Sequence, residues 1–141
     1  MAAADLSTIR AGIKTVVGGL TGMGQVFDFM PDTARGRCAV VGDVEPFDLF
    51  GESFGNALLE LTFPVTLIAG EMIDREAAKK LNAWLLSSAG IWQAFIANRT
   101  LSGVAEDCIA NEVRSVGEVQ IGDSSYLAAE VAVRVLVRRD S

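Results

Sequence analysis

The residues most suggestive of chemistry lie in the run Gly51-Glu52-Ser53-Phe54-Gly55, which matches the G-x-S-x-G pattern of serine hydrolases. In those enzymes the serine sits on a turn between a strand and a helix, and a histidine accepts its proton. The sequence contains no histidine, and a strand pattern follows Gly55. We therefore interpret the run as a glycine-bracketed hairpin tip and expect no catalytic residues and no enzymatic activity.

A cluster of carboxylates precedes and overlaps this motif. Asp43 and Glu45 would share one face of an extended strand, a pattern compatible with paired-carboxylate chemistry or a divalent cation. The spacing of a calcium-binding loop is not present, and a solvated acidic face is the commoner outcome. We expect no metal and no cofactor. The whole acidic stretch consists of Asp43, Glu45, Asp48 and Glu52.

Two further features have ordinary structural interpretations. The glycine-rich run that begins at Gly19 and ends at Gly24 follows a helix pattern and lacks the lysine of a phosphate-binding loop. It predicts a turn that ends the helix. Cys38 and Cys108 have no cysteine near them in the sequence, so we expect two small core residues in a reducing compartment.

The first half of the chain reads as one helix and three strands. Asp5 is a predicted N-cap, and apolar residues at helical spacing follow it as far as Leu20. Strand patterns cover 26–29, 37–44 and 58–69. Pro64 lies within the third of these and cannot donate a ladder hydrogen bond, which predicts an edge strand or a bulge there.

The second half reads as two helices followed by two strands. Asp74 is a predicted N-cap, a short helical pattern covers 91–98, and strands are predicted at 108–121 and 126–137 with a turn at 122–125. This order predicts a single α+β domain over 1–141. We expect a mostly antiparallel sheet of about five strands with two or three helices on one face. The predicted buried stripe of the Asp74 helix is Ala77, Ala78, Leu81, Trp84 and Leu85.

Composition narrows the function classes. Half of the 141 residues are hydrophobic, but charges interrupt every apolar stretch, so no membrane span is expected. A net charge of −6 opposes binding to nucleic acid, which depends on neutralising phosphates. The mean hydropathy of +0.35 is high for such a chain, which suggests apolar surface that a partner covers.

Read in serial order, the sequence resembles the tail terminator proteins of long-tailed bacteriophages, particularly those of phages that infect actinobacteria. The resemblance begins with DLSTIRAGIKTVVGGL, and its most extended block is AVVGDVEPFDLFGESFGNALLELTFPVTLIAG. It lies in the order of the blocks rather than in any single motif. The blocks cover 5–20, 26–32, 39–70, 74–101 and 119–137.

The resemblance implies an α+β subunit that forms a hexameric ring on the tail tube. Such a ring ends tube growth and provides the surface that joins the tail to the head. The implied partners are other copies of the chain, the major tail tube protein and a head-completion or stopper protein. DNA would pass through the lumen without specific binding. The protein would belong to the virion, in its tail or neck, after assembly in the host cytoplasm, with no catalysis and no cofactor.

Two surfaces are assigned on this basis. We expect the hairpin tip to contact a partner because it carries many large apolar groups, although these could instead fold back onto the core. The carboxylates Asp43, Glu45, Asp48 and Glu52 are expected to face the lumen. Two alternatives stay open: another neck component such as a head–tail stopper, and a small cytosolic ligand-binding domain. The expected partner-interface residues are Phe47, Leu49, Phe50, Glu52, Phe54, Leu58 and Pro64.

Overall fold

The computed structural model describes residues 5–29, 31, 37–47 and 58–138, with the main chain alone at Leu58 and Arg138. In these parts the chain forms three helices and five strands, which confirms the predicted α+β class. The helices are α1 (Leu6–Gly18), α2 (Arg75–Leu86) and α3 (Ile91–Ile96). The strands are β1 (Val26–Phe27), β2 (Cys38–Val41), β3 (Leu58–Glu71), β4 (Asp107–Ile121) and β5 (Ser124–Arg138).

The strands form one sheet in the order β1-β2-β3-β5-β4. Only the β1–β2 pair is parallel, and the other three pairs are antiparallel. Strands β3, β4 and β5 are 14 to 15 residues long and pair along almost their full lengths. A turn at Gly122-Asp123 joins β4 to β5, and Gly122 adopts a positive φ of 61° there.

The first two helices begin at the predicted caps. The Asp5 carboxylate accepts a hydrogen bond from the Thr8 amide at 2.7 Å, and the Asp74 carboxylate accepts one from the Glu76 amide at 2.9 Å. Each of these bonds pairs an amide that has no acceptor within its own helix. The predicted stripe of α2 is correct at three positions and nearly so at Leu85, which is half-buried. It is wrong at Ala78, which is exposed. The stripe residues that are buried are Ala77, Leu81 and Trp84.

The main core lies between the helices and one face of the sheet, which we call the helix side. All the helix residues of the core pack on this side, as the predicted one-sided packing requires. The opposite face of the sheet, the open side, carries a smaller apolar cluster that includes Ile68 and Tyr126. Both cysteines are buried and free, as predicted. Burial raises the pKa of both thiols, that of Cys108 to about 12 with a smaller contribution from Asp107.

The prediction that Pro64 marks an edge or a bulge is wrong. Strand β3 lies inside the sheet between β2 and β5, and Pro64 stays in register opposite Ala132 of β5. The irregularity in β3 falls instead between Ile68 and Gly70. Proline is tolerated because its nitrogen faces the side on which β2 has just ended at Val41. There Gly42 donates to the Pro64 carbonyl at 2.8 Å, and no hydrogen bond from residue 64 is needed.

Candidate assembly surface

The clearest unusual surface of the described residues is the middle of β4. This strand is one edge of the sheet, and its eight residues from Asn111 to Glu118 are all exposed. The residues of β5 that pair with them are buried or half-buried, because β5 is an interior strand under α2. Edge strands present a row of main-chain donors and acceptors that the sheet itself does not pair. We call residues 111–118 the β4 surface.

Two bulges determine which side chains the β4 surface presents. The pairing with β5 shifts once between Ala110 and Glu112 and again between Val113 and Ser115. Each extra residue changes the alternation of side chains, since a strand otherwise alternates strictly between its two faces. Four apolar residues of β4 therefore stand opposite helix-side residues of β5: Cys108, Ala110, Val113 and Val116.

These four residues divide into two that are covered and two that are not. Cys108 and Ala110 are buried at the start of β4, the strand that α3 contacts. Val113 and Val116 lie farther along, and their relative exposures are 47% and 59%. The bulges thus aim two valines to the helix side at a position where they remain half exposed.

The open side of the same strand is polar. Glu112 stands opposite Ala132, Ser115 opposite Glu130 and Gly117 opposite Ala128. An open groove of about 440 Å³ runs beside this part of β4. Small side chains and a glycine form much of its lining, which also includes Glu118 and Glu130. The lining is completed by Thr66, Ser115, Val116, Gly117, Val119, Ala128 and Ala129.

The predicted acidic residues that the structure describes do not come together. Asp43 lies 2.8 Å from Arg10 of α1, and its side chain is 90% exposed. Glu45 instead binds Arg114 of β4. Asp48 and Glu52 fall outside the described residues. Within the described ranges, no three histidine, cysteine, aspartate or glutamate side chains are grouped in a way that could hold a metal ion.

The predicted interface is described only in part. Phe47 is 36% exposed, and Leu58 begins β3, but positions 49, 50, 52 and 54 fall outside the described residues, as does the G-x-S-x-G motif. Pro64 is half-buried inside the sheet. Its inclusion rested on an edge position that it does not have.

Sequence reasoning missed the β4 surface, although a signal for it exists. Val113 and Val116 stand in a stretch with Glu112, Arg114 and Glu118, whereas β5 is apolar for most of its length. Charges on one of two paired strands are typical of a sheet edge. The two bulges hid the pattern, because they break the alternation by which a half-buried strand is recognised.

Comparison of the chain with protein-family models and with curated proteins found no match. The described helices are 13, 12 and 6 residues long, and none of them has the length and apolar character needed to cross a membrane.

Proposed function

We propose that this chain is a structural subunit that packs side by side with copies of itself into a closed ring, and that the ring is the tail terminator of a long-tailed bacteriophage. The observation that carries the proposal is the β4 surface. A long sheet edge with two half-exposed valines on one side is a surface that monomeric proteins usually shorten or cover. A neighbouring copy of the chain would cover it.

The choice of a ring over a symmetric dimer comes from the resembled family, and the two edges of the sheet are unlike. One edge is β4, with 15 residues, and the other is β1, with two. In a symmetric dimer β4 would pair with β4 of the other copy, whereas in the proposed ring β4 packs against a different surface of the next copy. Such contacts repeat from copy to copy and close into a ring when the rotation between neighbours permits it. Six copies, as in the resembled family, are the proposed number.

In this role the subunit has no chemistry to perform. The sequence has no histidine, and both thiols are buried with raised pKa values. The ring would cap the tail tube, end its polymerisation and offer its other face to a head-completion or stopper protein. The subunit would belong to the virion after assembly in the host cytoplasm.

The proposed lumen is neutral to acidic so that DNA passes without being held. The net charge of −6 is repeated in every copy, and each phosphate neutralised by lysine or arginine would slow the DNA. Asp43 and Glu45 are the described carboxylates assigned to this surface. Asp43 pairs with Arg10, and Glu45 pairs with Arg114. These arginines partly neutralise the negative charge that the two carboxylates would contribute to the lumen.

The proposal is tested by placing charges on the β4 surface. The variant Val113→Lys/Val116→Lys should fold normally, because exposed substitutions usually change stability by only about 0.5 kcal/mol each. It should not form the ring, since two lysines would be buried against a neighbour. Native mass spectrometry and size-exclusion chromatography measure the assembly, and thermal unfolding followed by circular dichroism measures the fold.

A matched control is Met72→Lys/Ile73→Lys in the turn between β3 and α2. These residues are 47% and 87% exposed, so the control removes similar apolar surface and adds the same charge. It should still form the ring. Assembly of the β4 variant at wild-type concentrations would contradict the proposal. Equal loss of assembly in both variants would show that added charge, rather than the β4 surface, prevents association, and would also overturn it.

The two alternatives predict different outcomes. A ring-forming subunit excludes the monomeric ligand-binding domain. The position of the ring in an assembled particle separates the terminator, which sits directly on the tube, from a stopper, which sits one ring nearer the head.

A further inference from the structure

The segment Gly42–Phe47 follows β2 and ends where the described residues stop before 48–57; we call it the stem. Two main-chain hydrogen bonds attach it to β3, one from the Gly42 amide to the Pro64 carbonyl at 2.8 Å. The other runs from the Glu45 amide to the Thr62 carbonyl at 2.9 Å. The stem is not part of a regular strand, so its side chains contribute much of what fixes its position.

The side chain that reaches the stem comes from the far edge of the sheet. Arg114 belongs to the second bulge of β4, and its Nη2 donates to Glu45 Oε1 at 2.8 Å while its Nη1 contacts Glu45 Oε2. The stem, β3, β5 and β4 lie side by side, so the two residues are three strand spacings apart, roughly 14 Å. Two extended side chains that meet in a two-point contact span that distance.

The surroundings of Arg114 favour this geometry. Its Nε lies 3.2 Å from Glu112 Oε1, and its Nη1 lies 3.8 Å from Glu130 Oε2. The guanidinium thus faces three carboxylates, and both it and the Glu45 side chain are 30% exposed. The hydrogen bonds from Arg114 hold the pKa of Glu45 below its ordinary value, against a smaller opposing effect of burial. The bridge is therefore ionised at neutral pH.

We infer that Arg114 is a positioning residue that fastens the stem to the strand that forms the proposed ring contact. The effect of this ion pair on assembly rests on the proposed function, in which a neighbouring copy packs on β4. A neighbour that covers β4 removes water from around Arg114, and attraction between paired charges grows as the local dielectric falls. Packing of a neighbour on β4 therefore stabilises the Arg114–Glu45 ion pair. By linkage, the ion pair stabilises the packing of the neighbour by the same free energy.

Hydrogen exchange in the monomer tests the bridge without any assembly. In Arg114→Gln the Glu45 amide should exchange several-fold faster than in the wild type, because the stem opens more often. The amide of Val65, in the buried part of β3, should not change. Arg114→Lys keeps the charge but loses the two-point contact, so it should restore part of the protection.

The matched control is Arg134→Gln. Arg134 pairs with Glu60 at 2.6 Å on the same face of the sheet, but this bridge joins β5 to β3 and does not involve the stem. Its loss should leave exchange at Glu45 unchanged. Unchanged exchange at Glu45 in Arg114→Gln would overturn the inference. Equally faster exchange at Val65 would also overturn it, because the effect would then be loss of global stability.

A second comparison connects the bridge to assembly. In rings of the wild-type protein the Glu45 amide should exchange more slowly than in the monomer, and Arg114→Gln should weaken ring formation. A wild-type chain that never forms rings would overturn the proposed function while the monomer experiment still decides the role of Arg114. Rings whose assembly is the same in Arg114→Gln would overturn the coupling alone.

Discussion

The indole Nε1 of Trp84 donates a hydrogen bond to the main-chain carbonyl of Thr21 at 3.0 Å. Trp84 belongs to α2, and Thr21 lies in the glycine-rich turn that follows α1. The Nζ of Lys80 approaches the same carbonyl at 3.4 Å. Next to Thr21, Gly22 has a φ of 80°, and a Cβ there would lie 2.8 Å from the Lys80 Nζ. The glycine-rich run is therefore a turn that ends α1, as the sequence predicts, and side chains of α2 hold it in place.

Replacing Trp84 by phenylalanine should lower the free energy of unfolding by about 1–3 kcal/mol. The ring of Trp84 is 1% exposed, so the smaller ring leaves unfilled space as well as removing the donor to Thr21. Urea unfolding followed by circular dichroism measures the change. Trp92 is 56% exposed and provides the control: Trp92→Phe should change stability by less than about 0.5 kcal/mol. Equal effects of the two substitutions would show that the Thr21 contact does not stabilise the fold.

The ion pair between Arg99 and Asp107 should make stability depend on pH. Arg99 donates two hydrogen bonds of 2.7 Å to the Asp107 carboxylate. They hold the pKa of Asp107 below its ordinary value, against a smaller opposing effect of burial and with a still smaller contribution from the Cys108 amide. A carboxylate with a lowered folded-state pKa stabilises the protein above its unfolded pKa of about 3.9, and the contribution disappears as pH falls through the folded pKa.

The variant Asp107→Asn should therefore be less stable than the wild type at pH 7, and the difference should shrink below about pH 4. Urea unfolding at a series of pH values measures it. If the loss arises from the ion pair, adding Arg99→Gln to Asp107→Asn should cost little more at pH 7. A difference that stays constant from pH 7 to pH 3 would assign the effect to packing rather than charge.

The assembled protein should not hold duplex DNA. Each copy carries a net charge of −6, and association with DNA at low salt depends on phosphate contacts from lysine and arginine. Fluorescence anisotropy of a labelled duplex at low ionic strength is the measurement. Binding in the submicromolar range that weakens as salt is added would contradict a lumen through which DNA passes freely.

Local patterns were sufficient to predict most of the elements of the fold. The caps at Asp5 and Asp74, the turn after α1 and the alternation of β5 are properties of neighbouring residues, which is why the sequence predicts them. The order of the strands is set by long-range packing, and a local pattern does not contain it. Pro64 shows the difference between local and long-range information. A proline cannot donate a hydrogen bond on one side of its strand, which is a local property. The sheet satisfies this condition by ending β2 beside Pro64, which depends on long-range packing.

The candidate site was less predictable for the same reason. Sequence reasoning took Asp43 and Glu45 as a pair on one face, yet the structure turns their carboxylates toward Arg10 and Arg114, which are distant in sequence. Arg114 was not singled out, because its reach across β5 depends on a bulge. The exposure of Val113 and Val116 likewise follows from the edge position of β4, which only the pairing of β4 with β5 reveals.

We propose that the chain functions as a closed ring of identical subunits. Negative-stain electron microscopy of the purified protein, with native mass spectrometry on the same sample, tests it most directly. Like-charged copies repel one another, and salt screens that repulsion, so the sample should be examined at low and at raised ionic strength. We expect closed rings, more abundant at raised ionic strength, with a mass of about 89 kDa, which is six times 14.9 kDa. A single species of 14.9 kDa at every concentration and ionic strength would contradict the account.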